Sequence, residues 1–458
     1  MGEKYHVVEH EKPFKYTEGD LDVTRGCAWT GPGCHLGCGV IMYTDKDGKF
    51  VKCEGDPEDP WTQGRLCMRC IDAPEVTNHK DRLLYPMKRA REDRGKDKWE
   101  RITWDEAYDL ITEKFMDMKE KYGAESVVFA QGTGRDIAAY ITRLCWSFGS
   151  PNYTGFLSGQ ACYLPRIAGM AATTGAPWIP DAAQQFPERY DHPDYEVPEV
   201  MFIWGNYPLK SNIEGFYGHW VIDLMKRGMK IVTVDPKVTW LASKSELHLR
   251  VRPGTDAALA LGIINIIVKE DLYDHEFVEK WCYGFDELAA RAAEFDIKRV
   301  SEITWVPEDK IVAAARMLGN AKNSTLQWGV AVDMTREAMP AGQAILALWE
   351  ITGNMERPGG MIVAPEILSV AGGWGREVLG PVQEDKRIGI KDYPLFNFGF
   401  AVSQPDETVK TIETGVPYEI HGAWLQTTNP IACMGADPQR LYKALNKLDF
   451  IVVVDLFK

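Results

Sequence analysis

Residues 199–236, EVMFIWGNYPLKSNIEGFYGHWVIDLMKRGMKIVTVDP, decide the fold of this chain. They begin with an apolar run that predicts a buried strand, which leads into a polar, glycine-containing loop. Helical spacing of apolar residues follows over residues 213–228, and MKIVTVDP then predicts a second strand. A strand, a helix and a strand in this order form a βαβ unit, whose two strands are parallel.

The same alternation recurs on both sides of this unit. LHLRVRPGTDAALALGIINIIV at residues 247–268 predicts a strand, a turn and a helix, with Thr255 or Asp256 capping the helix. GAWLQTTNP, residues 437–448 and FIVVVDL form a further predicted strand–helix–strand unit near residue 458. An earlier helix is predicted from Thr103, which forms a capping box with Glu106. The predicted fold class is therefore α/β with parallel sheets, and ligands are expected where strands end and helices begin.

Size and charge restrict the class of protein. A chain of 458 residues is too long for one compact core, so two or three domains are expected. The net charge is −14, from 52 basic and 66 acidic side chains. Nucleic acid and anionic membranes are not expected partners, because both are bound by clustered Lys and Arg. The sequence has no apolar run of about 20 residues and no visible export signal, which predicts a cytoplasmic protein without a transmembrane segment.

The cysteines are concentrated in one region. The chain has 10 cysteines. Those between residues 27 and 70 are Cys27, Cys34, Cys38, Cys53, Cys67 and Cys70. In a reducing compartment, clustered thiols are more often metal ligands than disulfides. Glycines around the second and third cysteines favour a [4Fe–4S] cluster, because backbone N–H groups must approach its sulfides closely. A structural zinc site is the alternative.

Several motifs resemble those of one known superfamily. They are GRLCMR, HKDRLLYPMKR, WERITWDEA, WGNYP, VDPKVTWLASKSELHLRVRPGTDAALALG, ITGNMERPGG and TTNP. Together and in this order they resemble the dimethyl sulfoxide reductase superfamily, molybdenum or tungsten enzymes that bind two pterin guanine dinucleotides. The likeness is greatest to the catechol dehydroxylase and acetylene hydratase branches.

The resemblance implies a domain organisation. A small N-terminal iron–sulfur domain is expected at residues 1–85, together with two Rossmann-like parallel α/β domains. Residues 86–156 with 361–458 form the first pterin dinucleotide domain, and residues 157–360 form the second, inserted one. The superfamily's C-terminal domain, which covers both pterins, is not found in the sequence. A second chain is therefore expected to supply it, unless the chain is an inactive or split fragment.

The resemblance also implies metal ligands. Cys34, Cys38 and Cys67 match cluster ligands, and Cys27 is the best match for the remaining one, with Cys53 or Cys70 as alternatives. Cys162, followed by Pro165 and Arg166, matches the ligand of the molybdenum or tungsten, with Ser158 or no protein ligand as alternatives.

Further roles follow from the resemblance. Arg166 is expected to order the ligand loop or to neutralise pterin charge, and Arg69 to lie on the electron path between cluster and pterin. His35 occupies the position of the catalytic aspartate in acetylene hydratase, where it is a proton donor or a loop histidine. The expected dinucleotide contacts are Gly132, Trp204, Gly205, Asn206, Ser211, Asp235, Pro236, Gly254, Thr255, Asp256 and Asn429.

The favoured reaction is a two-electron reduction of a small substrate, either reductive dehydroxylation or oxygen-atom transfer. The alternative is a non-redox tungsten hydratase or hydroxyltransferase. A reductase is expected to have an iron–sulfur electron-transfer subunit as its partner.

Overall fold

The computed structural model describes residues 11–28, 37–59, 62–132, 137–155, 164–181, 196–210, 216–363, 376–394, 402–434 and 437–458. The first strands are β1 (Lys15–Glu18), β2 (Leu21–Ala28), β3 (Cys38–Thr44), β4 (Phe50–Gly55), β5 (Met87–Lys88), β6 (Glu100–Arg101), β7 (Val127–Gln131) and β8 (Tyr153–Thr154). The later strands are β9 (Trp178–Pro180), β10 (Val200–Trp204), β11 (Lys230–Val234), β12 (Leu247–Leu249), β13 (Ser324–Trp328), β14 (Met361–Val363), β15 (Gly422–Gln426) and β16 (Phe450–Val454).

The first helices are α1 (Met68–Ile71), α2 (Ala73–Thr77), α3 (Trp104–Tyr122), α4 (Ala138–Phe148), α5 (Leu164–Thr174), α6 (Phe216–Lys226), α7 (Trp240–Lys244) and α8 (Asp256–Lys269). The later helices are α9 (His275–Trp281), α10 (Phe285–Ala293), α11 (Ile297–Thr304), α12 (Glu308–Gly319), α13 (Ala338–Ile351), α14 (Gly380–Glu384), α15 (Pro405–Thr414), α16 (Pro430–Cys433) and α17 (Pro438–Lys447). Short 3₁₀ turns occupy Arg91–Asp93, Ala124–Ser126, Val330–Val332 and Arg376–Val378.

The chain divides into two compact units. Unit 1 comprises Met1–Asp56, Leu66–Gln160 and Ile367–Lys458, and unit 2 comprises Pro57–Arg65 and Ala161–Glu366. The separation of an iron–sulfur domain at residues 1–85 from the α/β part of unit 1 stays a prediction.

Unit 1 begins with an antiparallel sheet of order β1-β2-β3-β4. A buried ion pair joins the second strand to the end of the last one. The Arg25 guanidinium donates from Nε and Nη2 to the Asp56 carboxylate at 2.7–2.9 Å, and both side chains are less than a tenth exposed. Arg25 also donates from Nη1 to the Lys12 carbonyl at 3.1 Å, but Asp56 supplies the opposite charge that offsets the burial of the guanidinium.

Unit 1 also contains a parallel sheet of order β16-β15-β7-β8. Each residue of β7 is buried, as expected for a central strand covered on both faces. Before it, α3 begins at Thr103 with the capping box to Glu106 that the sequence predicts. Its apolar face packs through Phe115 and Met118 against this sheet.

Unit 2 contains the parallel sheet that the opening motif predicts, of order β12-β11-β10-β13. Alternate residues of β10 point to opposite faces, as the pleat requires. Phe202 and Trp204 pack with α8 and α13 on one face, whereas Met201 and Ile203 pack with α6 on the other. Helices on both faces of a parallel sheet confirm the predicted α/β class.

The side-chain cap of one helix differs from the expectation. Thr255 occupies the position before α8, but its side chain makes no capping bond. Its hydroxyl instead donates to the Arg252 carbonyl at 2.7 Å and closes the preceding turn. The sequence pattern places the helix start correctly but assigns the hydroxyl to the wrong partner. Among the helices of the described ranges, none is long and apolar enough to cross a membrane.

We expect Asp56→Ala to destabilise the N-terminal sheet, because it leaves the Arg25 charge buried without its carboxylate. Removing one partner of such a pair costs about 3–5 kcal/mol. Hydrogen exchange of the β2–β4 amides measures the effect. The control is Asp20→Ala, which removes the carboxylate of an exposed pair with Lys46 (side chains 92% and 76% exposed) and leaves exchange unchanged. Equal exchange rates in the two variants would contradict the role assigned to the buried pair.

Candidate cofactor site and family

The sheet of unit 2 has its topological switch point between β10 and β13. The chain proceeds from β10 to β11 and β12 on one side, then returns to β13 on the other side of β10. In parallel α/β sheets, the crevice at such a point, at the carboxyl ends of the strands, is where ligands bind. Two glycines meet there, because Trp204 is paired with Trp328 and a glycine follows each.

The two glycines approach too closely for any side chain. A Cβ at Gly329 would lie 2.3 Å from the Gly205 carbonyl oxygen and 2.7 Å from the Asn206 Cβ. Gly205 itself has φ +59°, in the left-handed region that glycine tolerates best. At Gly205 and Gly329 the carboxyl edge therefore exposes backbone without side chains, which we call a backbone cradle. A bound diphosphate requires such a surface. Gly205 and Asn206 lie where the sequence predicts a phosphate loop, and Ser211 falls outside the described residues.

Gly329 is a site residue that sequence reasoning missed. The sequence contains a pattern that could have indicated it. The dipeptide Trp-Gly occurs at the end of both β10 and β13, at residues 204–205 and 328–329. Only the parallel register shows that these two dipeptides are neighbours.

A carboxylate is held beneath this edge by a buried indole. The Trp204 Nε1 donates to Asp256 Oδ1 at 2.7 Å, and both residues are buried. Burial raises the pKa of the Asp256 carboxyl, while the hydrogen bond from Trp204 lowers it. Trp204 therefore positions Asp256 at the start of α8. The adjoining turn contains Gly254, which is exposed and has φ +86°.

Asp235 follows β11, the neighbour of β10. Its Oδ1 accepts from the Lys237 backbone N–H at 2.7 Å, which closes a turn over the exposed Pro236. Its carbonyl oxygen lies 2.8 Å from His248 Nε2 of β12. A half-exposed carboxylate at this strand end is suited to accept hydrogen bonds from a ribose.

The sheet of unit 1 has a second switch point, between β7 and β15. A Cβ at Gly132, just after β7, would lie 2.1 Å from the Thr427 carbonyl oxygen, just after β15. Thr427 has φ +47°, an unfavourable value for a β-branched residue. Among the residues that the structure describes, the buried hydroxyls of Thr427 and Thr428 have no hydrogen-bond partner. Such strain and orphaned hydroxyls are expected where a polar ligand completes a site. Asn429 is already engaged, since its Oδ1 caps Ala432 N at 3.2 Å.

The predicted cluster ligands are described only in part. Cys34 and His35 lie outside the described residues. Cys27 is the penultimate residue of β2, and its thiol donates to the Gly37 carbonyl at 3.0 Å, next to Cys38 at the start of β3. Cys67 precedes α1. Within the ranges that the structure describes, these thiols do not form a group of three.

The two alternative cluster ligands are both buried. Cys53 is buried in β4, where burial and then the Glu54 charge raise the pKa of its thiol. Cys70 is buried in α1, and Arg69 beside it is exposed. The choice between Cys27 and these alternatives stays a prediction.

Cys162 also lies outside the described residues, and α5 begins two residues after it. Arg166, in the first turn of α5, is buried against Asp333. The Asp333 carboxylate accepts from the Arg166 backbone N–H at 3.1 Å and from its Nε at 2.7 Å. The guanidinium lies 5.1 Å from the Trp328 ring centroid. Asp333, which sequence reasoning missed, thus caps α5 from another part of unit 2.

We expect Asp333→Ala to release the first turn of α5, because it removes both a helix cap and the partner of a buried cation. Hydrogen exchange at the Arg166 amide should become at least tenfold faster, about 1.4 kcal/mol or more. Asp333→Asn keeps an oxygen acceptor for the amide and should show a smaller change. Glu270→Gln, in the more exposed pair with Arg316, is the control. An Arg166 amide that exchanges alike in all three variants would contradict the capping role.

Comparisons with known proteins agree with this geometry. The Molybdopterin oxidoreductase Fe4S4 domain family matches residues 31–79, and the Molybdopterin oxidoreductase family matches residues 82–458. Acetylene hydratase of Syntrophotalea acetylenica is 30% identical over 93% of this chain and 60% of its own length. The thiosulfate reductase molybdopterin-containing subunit of Salmonella typhimurium is 27% identical over 93% of this chain and 55% of its own length.

A solved structure is also similar. The structure of acetylene hydratase from Pelobacter acetylenicus aligns with a TM-score of 0.80 and 29% identity, over 92% of this chain and 59% of that one. The chain therefore spans about 55–60% of the length of these three relatives. These matches confirm the predicted superfamily, its [4Fe–4S] cluster and its molybdenum or tungsten pterin. This chain belongs to the molybdopterin oxidoreductase family, with its Fe4S4 domain at residues 31–79.

Proposed function

We propose that this chain is the catalytic chain of a molybdenum or tungsten bis-pterin guanine dinucleotide enzyme. The observation that carries the proposal is the pair of switch points, one in each unit, where two strand-end loops meet at a glycine. Two separate cradles of bare backbone are suited to two dinucleotides. The family match over residues 82–458 supports the same cofactor.

In unit 2 we assign one dinucleotide to the β10–β13 edge. Gly205 and Gly329 admit the diphosphate, and Asn206 is placed to contact it. Asp235 accepts from a ribose, and Asp256, oriented by Trp204, accepts from the N–H groups of guanine. Ser211, Pro236, Gly254 and Thr255 belong to the same loops and keep their predicted roles.

In unit 1 we assign the second dinucleotide to the β7–β15 edge. Gly132 leaves room for the dinucleotide. The buried hydroxyls of Thr427 and Thr428, which have no hydrogen-bond partner among the described residues, form hydrogen bonds with it. The Asn429 oxygen caps α16, so its amide N–H₂ group is the part that remains suited to a ligand.

The remaining predicted residues hold the metals. Cys27, Cys34, Cys38 and Cys67 are the proposed cluster ligands, and Cys162 is the proposed ligand of molybdenum or tungsten. The cofactors supply two-electron exchange with a small molecule and single-electron exchange with a partner. Arg166, held by Asp333, fixes the helix that begins just after Cys162. Arg69 and His35 keep their proposed roles beside the cluster.

The favoured reaction is a two-electron reduction, in which an iron–sulfur subunit supplies the electrons. The thiosulfate reductase relative supports this reaction class. The 30% identity to acetylene hydratase supports a second candidate, hydration without net redox change. His35 argues against hydration by the route of acetylene hydratase. That route is expected to use a carboxylic acid with a raised pKa at this position, where the present chain has a histidine.

The composition of the purified protein tests the cofactor proposal. We expect about four iron atoms, one molybdenum or tungsten atom and two acid-released guanine nucleotides per chain after anaerobic purification. One guanine nucleotide per chain would limit the proposal to a single dinucleotide. Zinc without iron would overturn it.

Replacement of the proposed metal ligand tests the active site. We expect Cys162→Ala to abolish turnover and leave the iron content unchanged, because the cluster has other ligands. Turnover is measured both as oxidation of reduced viologen by candidate acceptors and as hydration of acetylene. Cys433→Ala, at an exposed cysteine, is the matched control. Full activity of Cys162→Ala in either assay would remove Cys162 from the site, and acetylene hydration without viologen oxidation would favour the hydratase.

A further inference from the structure

Trp305 has a backbone conformation that is unfavourable for its residue type. It follows α11 with φ +63° and ψ +10°, in the left-handed region, and it is 67% exposed. L-residues with a Cβ pay a steric cost there, whereas glycine pays none. Burial does not offset the cost, because most of the ring is exposed. Strain of this kind in an exposed aromatic residue points to a functional role.

The position of Trp305 in unit 2 is fixed by neighbouring contacts. The carbonyl oxygen of Thr304 accepts from the Arg252 backbone N–H at 2.8 Å, three residues after the end of β12. Lys310, from the first turn of α12, donates to the His248 carbonyl of β12 at 3.1 Å. Trp305 therefore lies at the carboxyl end of β12, at the same edge of the sheet as the cofactor loops.

Arg252 joins this tryptophan to the predicted guanine turn. Its guanidinium carbon lies 5.0 Å from the Trp305 ring centroid, within the range of a cation–π contact. The Arg252 carbonyl accepts from the Thr255 backbone N–H at 3.2 Å and from the Thr255 hydroxyl at 2.7 Å. The stacked pair is thus tied directly to the turn that leads to Asp256.

Strand order places a base near this pair. Neighbouring strands lie about 4.8 Å apart, so β12 ends about 10 Å from β10. A diphosphate at Gly205 and a ribose at Asp235 extend the ligand from β10 across β11, so its base lies toward β12. The residues assigned to this dinucleotide contact its diphosphate, its ribose and the edge of its base, which leaves the face of the base to another contact.

We infer that Trp305 and Arg252 form a stacking platform for the purine base of the dinucleotide in unit 2. The inference rests on the proposed function, which places that dinucleotide at the β10–β13 edge. Stacking is tolerant of base identity, because every base has a π-face. Trp305 and Arg252 therefore supply affinity, whereas Asp256 supplies the preference for guanine through its carboxylate.

The test compares Trp305→Gly with Trp305→Phe in the full chain, produced in a host that makes no pterin cofactor. Affinities for GDP and ADP are measured by calorimetry. We expect Trp305→Gly to weaken both nucleotides about tenfold or more, because a base–aromatic stack contributes about 1–3 kcal/mol. Trp305→Phe keeps most of the affinity. Trp281→Ala, at another exposed tryptophan, is the control and leaves both affinities unchanged.

The melting temperature separates binding from a structural role. Because glycine relieves the left-handed strain, Trp305→Gly is expected to keep or raise Tm while it loses affinity. Asp256→Asn should reduce the preference for GDP over ADP, a preference that Trp305→Gly leaves intact. Unchanged affinity in Trp305→Gly, or a loss that accompanies a lower Tm, would overturn the inference. A wild-type chain that binds no GDP would instead overturn the proposed function.

Discussion

The parallel pairing of β10 with β13 is the constraint on which the cofactor site depends. It sets Trp204 beside Trp328 and therefore brings the two glycines that follow them into contact. If β13 shifted by one residue, a tryptophan would lie where the backbones must meet and the side chains of β13 would turn to the opposite faces of the sheet. The pairing is held by burial, because β10 is fully covered on both faces by α6, α8 and α13. The large apolar core of unit 2 thus fixes the register at its polar edge.

The same core also positions the charged group of the site. Asp256 begins a helix whose remaining residues are almost all apolar, and its carboxylate is drawn below the surface to meet the Trp204 indole. Burial raises its pKa, and the hydrogen bond from the indole lowers it. In the proposed site, recognition of the base therefore depends on the Trp204 indole that holds the Asp256 carboxylate.

The sequence predicts the local parts of this structure well. The capping box at Thr103, the strands and the helix starts depend on neighbouring residues, and the structure has them where they are predicted. The resemblance to the superfamily also supplies Gly205, Asp235 and Asp256 as site residues. The sequence does not give the contacts between distant segments. Asp333 is 167 residues from Arg166, and no periodicity connects a carboxylate in one loop to the first turn of another helix.

Trp305 shows a different limit of sequence reasoning. The proposed role of Trp305 depends on its left-handed backbone conformation, which its residue type does not predict. Read as a pattern, it is one more aromatic residue near a helix end. Its importance appears only when the left-handed backbone, the exposure and the Arg252 contact are found at one place.

The net charge of −14 is compatible with two bound dinucleotides, because the proposed sites do not depend on clustered cations. Their contacts are bare backbone at glycines and short polar side chains such as Asn206 and Thr428. Backbone dipoles at strand ends attract phosphate only at short range, whereas a basic patch attracts every polyanion at a distance. An acidic chain with the proposed backbone sites is expected to repel nucleic acid and still to accept a dinucleotide whose shape fits. Selectivity between polyanions then comes from the glycine contacts themselves, which a long-range field could not supply.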